Sequence, residues 1–183
     1  MLQPALSIIQ RFDQVRVLIL GDLMLDQYIW GTVHRISPEA PVPVVSVQGR
    51  TAVPGGAANV AANVAALGAA VEVLGFVGAD REGEHLRQSL ASLPVDCSGI
   101  MVDEGRPTTT KIRIIAERQQ LVRMDREEMA PIHAAQAAQL MEALRKVLDG
   151  RTPPTGLILS DYGKGCLTPD LLKEVIGLAR SRG

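Results

Sequence analysis

Two adjacent glycines, Gly55 and Gly56, stand immediately before an alanine-rich run that holds Asn59 in its first turn. Residues 57–67 are good helix formers, and Gly68 is placed to cap the C-terminal end. The glycines therefore fall at a helix entrance, where backbone N–H groups have no partner inside the helix. Backbone without side chains can be approached closely by a ligand, and it adopts conformations closed to other residues. The Asn59 amide brings a donor and an acceptor to the same place. Such a site suits a polyhydroxylated molecule such as a sugar. The plainer alternative is a loop-to-helix turn packed with small residues.

Three further groups could complete a site. Asp22 and Asp26 lie in GDLMLDQY, just past an apolar run at residues 15–20. A carboxylate there can accept from two neighbouring sugar hydroxyls, or it can cap the loop. Lys111 and Arg113 share one strand face by two-residue alternation, with Arg118, Arg123 and Arg126 on the same hairpin. As a group they suit the remote phosphate of a substrate, because arginine offers forked, charge-assisted donors. Singly, each reads more simply as a solvated face, and the contact is assigned to no one of them. Asp161 and Lys164 sit in SDYGKG, after a second apolar run at residues 157–160. Lys164 could steady negative charge, and Asp161 could orient a hydroxyl or a metal-bound water. Their structural alternatives are a loop-internal ion pair and a turn residue.

These groups need elements that bring them together. Residues 15–20, 71–78 and 157–160 are nearly continuous in apolar residues, as buried parallel strands are. In open α/β sheets, ligands bind beyond the carboxyl ends of such strands. Helices are expected at 6–12, 57–67, 84–93, 131–148 and from Pro169 to about 182, the last with Thr168 as N-cap. Strands at 28–31 and 42–47 flank a loop, and Pro43 argues that the second is an edge. A short strand at 97–102 precedes a hairpin, 109–116 with 121–124. Tyr28 and Trp30 could face substrate, pack together across strands or make a homodimer contact; packing is favoured.

Composition narrows the class. A chain of 183 residues, 46% hydrophobic with net charge −1, holds a real core and carries no nucleic-acid or membrane-surface footprint. Cys97 and Cys166 lie far apart without ligand spacing, and His34, His85 and His133 have no second histidine at such spacing; no metal site is expected. The thiols are expected to be reduced and buried. MLQPALSIIQRFDQ is not a secretory signal, and no apolar run is long enough for a membrane span. A cytoplasmic protein is expected.

The run PGGAANVAANVAALGAAVEVLGFVGADREG, about thirty positions in order, closely resembles the N-terminal signature of the ribokinase-like (PfkB) carbohydrate kinases. RISPEAPVPVV, with GDLMLDQY and SDYGKG, looks like the kinase half of one family within it, the bifunctional heptose 7-phosphate kinase/heptose 1-phosphate adenylyltransferases. The resemblance implies an α/β fold: a parallel sheet with flanking helices and a small β-sheet lid, its strands at about 27–50 and 97–126. It implies ATP-dependent phosphorylation, with Mg²⁺, of D-glycero-β-D-manno-heptose 7-phosphate at C1, on the way to ADP-heptose for lipopolysaccharide core. By it, Asp26 matches the aspartate that binds substrate hydroxyls, and Gly55, Gly56, Asn59, Lys111 and Arg113 are the other substrate-binding candidates. Asp161 and Lys164 would line the cleft near the transferred phosphate.

The sequence departs from that pattern in one respect. The Gly-Ala-Gly-Asp motif that carries the family's anion hole and catalytic base does not occur in these 183 residues, nor does the earlier segment that helps hold magnesium. Residues 1–183 are therefore expected to be the sugar-binding part of one kinase domain, truncated before its nucleotide half, with no catalytic residue and no turnover alone. Another PfkB sugar or nucleoside kinase, or a non-catalytic sugar-phosphate binding module, are the alternatives.

Overall fold

The computed structural model describes residues 11–182. Residues 6–10 of the expected lead-in helix lie outside them, and Phe12–Gln14 make a single 3₁₀ turn. Among the described residues there are two sheets. The main one is parallel, built from β1 (Arg16–Gly21), β4 (Ala70–Gly78), β5 (Val95–Asp96), β6 (Ile100–Asp103) and β9 (Gly156–Ser160). Strand β1 lies between β4 and β9, while β5 and β6 pair with successive halves of β4.

The central placement of β1 explains its apolar run from Val17 to Leu20. Alternate side chains point to opposite faces. Val17 and Ile19 pack with α1 (Ala57–Ala66) and α2 (Arg81–Ala91), among Ala57, Ala61, Leu86 and Leu90. Leu18 and Leu20 pack on the other side, with α3 (Ala134–Leu148) and α4 (Pro169–Ser181), among Leu140, Leu144, Leu171 and Val175. Each fully buried leucine or isoleucine contributes about 1.5–3 kcal/mol. A strand with helices on both faces has no polar side to show.

The second sheet is mixed, in the order β3-β2-β7-β8. It comprises β2 (Leu23–Ile36), β3 (Pro43–Gly56), β7 (Thr109–Ala116) and β8 (Gln119–Arg126). Strand β3 is an edge, as Pro43 requires. The two fourteen-residue strands run much farther than the short segments expected at 28–31 and 42–47. Asp26, Gly55 and Gly56 are thus themselves part of the small sheet. The range 97–126 was also too generous for it: β6 joins the main sheet, and only β7 and β8 belong to the small one.

Helix starts also differ. Asp80 caps α2, accepting from the Gly83 N–H, so the helix begins at Arg81 and not at residue 84. Helix α3 begins at Ala134 behind His133, leaving Ile132 before the helix but still buried in the core. Thr168 caps α4 with Pro169 behind it, as expected. No helix among the described residues is long and apolar enough to cross a membrane.

Candidate functional site

β1, β4 and β9 end along one edge of the main sheet, at Gly21, Gly78 and Ser160. There the chain passes from β1 into β2 through a single residue, Asp22. It returns from β3 into α1 at Gly56, whose backbone (φ 55°, ψ −132°) favours glycine. The Ala57 N–H donates to the Asp22 carbonyl at 2.9 Å and closes this junction. The small sheet therefore rises from the sheet edge where a ligand is expected.

Asp22 is 3% exposed, and its carboxylate serves the backbone. It accepts from the N–H groups of Tyr162 (2.8 Å), Lys164 (3.1 Å) and Cys166 (3.2 Å). Of the two roles open to Asp22, loop cap and sugar ligand, its bonds are those of the cap. Both Gly163 and Gly165 take positive φ, so the loop can fold around one acceptor. Asp161 is exposed and accepts from the Gly163 N–H at 2.8 Å, a turn within the same loop.

Asp26 sits in a different setting. It lies one strand over from Lys111, while its carboxylate pairs with Arg113 from the same face of β7. The Arg113 guanidinium also lies over the Tyr28 ring, 5.3 Å from its centroid. A Cβ at position 55 would stand 2.5 Å from Asp26 Oδ2, so glycine there lets the carboxylate lie against bare backbone. Asp26, Gly55, Lys111 and Arg113 are thus brought together, as alternation and strand order require. Asn59 is exposed on the first turn of α1, next to Gly56. Tyr28 and Trp30 stack on each other at 6.0 Å. That stacking runs along one strand, so the expected aromatic packing is present but not across strands.

The basic residues of the hairpin are mostly paired. Lys111 Nζ lies 3.2 Å from Asp125 and 3.5 Å from Glu127. Arg123 pairs with Asp125, and Arg126 with Asp80 and Glu82. Lys164 reaches Glu127 at 2.9 Å, an ion pair outside its own loop and not within it. The hydrogen bond from Lys164, offset in part by burial, holds the Glu127 carboxyl below its ordinary value.

Three residues that hold this edge together carried no clear signal in the sequence. Arg106 donates to the carbonyls of Lys164 (2.9 Å) and Ala130 (2.5 Å). Asp80 accepts from the Thr108 hydroxyl (2.6 Å) and N–H (3.0 Å) as well as capping α2. Burial pushes Asp80 up, but these bonds, those from Gly83 and the Arg126 charge together carry it below its ordinary value. The cap pattern Asp80-x-x-Gly83 before a helix is the one cue that was readable. Cys166 is buried, and burial with the nearby Asp22 charge pushes its thiol up to about 12, so it is inert as a nucleophile. Cys97 is half-buried; both thiols are free.

Among the described residues, no group of three or more His, Cys, Asp or Glu could hold a metal ion. The chain's own groups here can accept from hydroxyls at Asp26 and pair with anions at Lys111, Arg113 and Lys164.

A parallel sheet flanked by helices, with a small mixed sheet raised over its carboxyl edge, defines the ribokinase-like class of fold. Phosphofructokinase-2 from Escherichia coli, crystallised with substrates and products, superposes with a TM-score of 0.69 at 23% identity, over 92% of this chain and 52% of that one. A carbohydrate kinase from Agrobacterium tumefaciens gives 0.62 at 20% identity, over 92% and 51%. The profile of the pfkB family carbohydrate kinases matches residues 15–155, and the chain belongs to that family. Curated relatives include the bifunctional protein HldE of Magnetococcus marinus, 47% identical over 94% of this chain, and that of Desulfatibacillum aliphaticivorans, 43% identical over 94%. The chain spans 35% of the length of each.

Proposed function

We propose that these residues form the sugar-binding part of a kinase that phosphorylates D-glycero-β-D-manno-heptose 7-phosphate at C1 with ATP, in ADP-heptose synthesis. One observation carries it: the Asp26 carboxylate lies against the bare backbone of Gly55 at the sheet edge, with Lys111 and Arg113 beside it. A half-buried carboxylate suits paired hydroxyls, and the two cations suit the substrate's own phosphate. The 43–47% identity to proteins named HldE supports the choice of heptose within the family.

Asp26, Gly55, Gly56 and Asn59 are assigned to the sugar, Lys111 and Arg113 to its phosphate, and Asp161 and Lys164 to the cleft near the transferred group. Phosphoryl transfer depends on positioning and on neutralising charge. ATP and Mg²⁺ would supply the phosphoryl group and part of that charge. No described cluster fits Mg²⁺, so no step is assigned to it here. We further infer that the small sheet acts as a lid that excludes water. The 183 residues alone are expected not to turn over; ATP-dependent phosphorylation by the purified chain would overturn that.

The specificity test is a substrate panel with the protein as its cell makes it. ATP consumption with the β-heptose 7-phosphate, and a product phosphorylated at C1, is the expected result. Preference for ribose, fructose 6-phosphate or adenosine would contradict the heptose assignment.

A further inference from the structure

Glu127 follows β8 directly and links Lys111 of the small sheet to Lys164 of the loop after β9. Lys164 donates to its Oε1 at 2.9 Å. Its Oε2 is sealed from solvent, 2.9 Å from Lys164 Nζ and 3.5 Å from Lys111 Nζ, yet receives no well-directed hydrogen bond among the described residues. The lysine side chains are only 15% and 14% exposed. Two ammonium groups from separate elements thus converge on one oxygen.

Like charges brought this close with little solvent repel each other unless an anion lies between them. The convergence therefore demands a negative group at this spot, and Glu127 supplies it with poor geometry. A phosphate brings nearly twice the charge and three acceptor oxygens for two donors. Lys111 keeps a second partner in Asp125 whether or not Glu127 stays. Among the described residues, the other lysines, Lys146 and Lys173, pair with carboxylates of their own helices.

We propose that Glu127 is a placeholder: its carboxylate occupies the position of a phosphate group between Lys111 and Lys164, and phosphate binds by displacing it. This rests on the sugar-phosphate kinase assignment above and adds a specificity device to it. A sugar without a phosphate cannot displace Glu127, so it leaves both lysines engaged. Displacement also removes the Glu127 link between the end of β8 and the loop after β9, while Arg126 keeps β8 paired with Asp80 and Glu82.

The test is calorimetric titration of the chain and of Glu127→Gln with inorganic phosphate. Removing the competing carboxylate is expected to tighten phosphate binding by about tenfold or more, since a half-buried ion pair no longer has to be broken. Adding Lys164→Met to that variant should abolish the gain. A purely structural role for Glu127 would leave phosphate affinity unchanged or lower it, and that result would overturn the proposal. Should Glu127→Gln fail to fold, the unaltered chain still decides the matter. Phosphate must then shift the side-chain NMR signals of Lys111 and Lys164 and leave those of Lys146 and Lys173 in place; uniform shifts, or none, would overturn it.

Competition separates the source of the phosphate. Displacement of bound inorganic phosphate by heptose 7-phosphate assigns the position to the sugar's own phosphate, and displacement by ATP assigns it to the transferring group. If neither displaces it while the gain in Glu127→Gln persists, the heptose 7-phosphate assignment fails and the anion position stands.

Discussion

Aspartates four residues apart, Asp22 and Asp26, have the same chemistry and opposite surroundings. Asp22 is buried at the joint between the sheets and spends its lone pairs on three backbone N–H groups; Asp26 lies in a strand with its carboxylate against the bare backbone of buried Gly55 and paired with Arg113. Asp22→Ala strands three donors, at 1–3 kcal/mol for each that stays dry, so a loss of about 3 kcal/mol is expected in urea unfolding. Asp80 makes a pH prediction. Its pKa lies below the ordinary 3.8 in the folded chain, so the stability it contributes is present above the unfolded value and is lost as pH falls through the folded one. At neutral pH the parent should exceed Asp80→Asn by about 1–2 kcal/mol. That gap should close in thermal unfolding as pH falls from the unfolded value through the lower folded one. What could be read at this scale was residue type and alternation, which placed Lys111 and Arg113 on one face. What could not was partnership: nothing in the order of residues joins Arg106 to the Ala130 carbonyl or Lys164 to Glu127, because those pairs form only when separate elements meet.

Periodicity predicted the elements well where both faces are buried. β1, β4 and β9 are mostly apolar, with Arg16, Glu72 and Ser160 as exceptions, because helices cover both sides, and that composition is visible without a structure. The small sheet was harder. Its long strands carry Gln27, Thr32, Arg35, Ser46 and Arg50 among apolar residues, with register shifts after Trp30 and Val33, so no clean two-residue pattern marks their length. The hairpin turn between β7 and β8 also departs from favoured chemistry. Glu117 and Arg118 both take positive φ, at 51° and 66°, where Asn-Gly is the preferred pair. Replacing them by Glu117→Asn and Arg118→Gly should raise stability by about 1 kcal/mol and shorten no strand. Differential scanning calorimetry would show the gain as a rise of several degrees in Tm; a fall would mean the side chains make contacts that outweigh the strain.

At the scale of the whole molecule, the two sheets meet along one edge, and every candidate for sugar or phosphate lies at or near that meeting. The main sheet supplies a fixed base, with Asp22 setting the loop after β9; the small sheet supplies Asp26, Lys111 and Arg113. Fold and family could be read from the glycine-helix-strand run because so many positions are constrained together there. This edge is proposed to hold a sugar phosphate through Asp26. Calorimetric titration of the purified chain with D-glycero-β-D-manno-heptose 7-phosphate, beside Asp26→Asn with unchanged thermal unfolding, tests it most directly. Loss of a charged acceptor for hydroxyls is expected to weaken binding by about 10- to 100-fold. Equal affinity in the two proteins would contradict it.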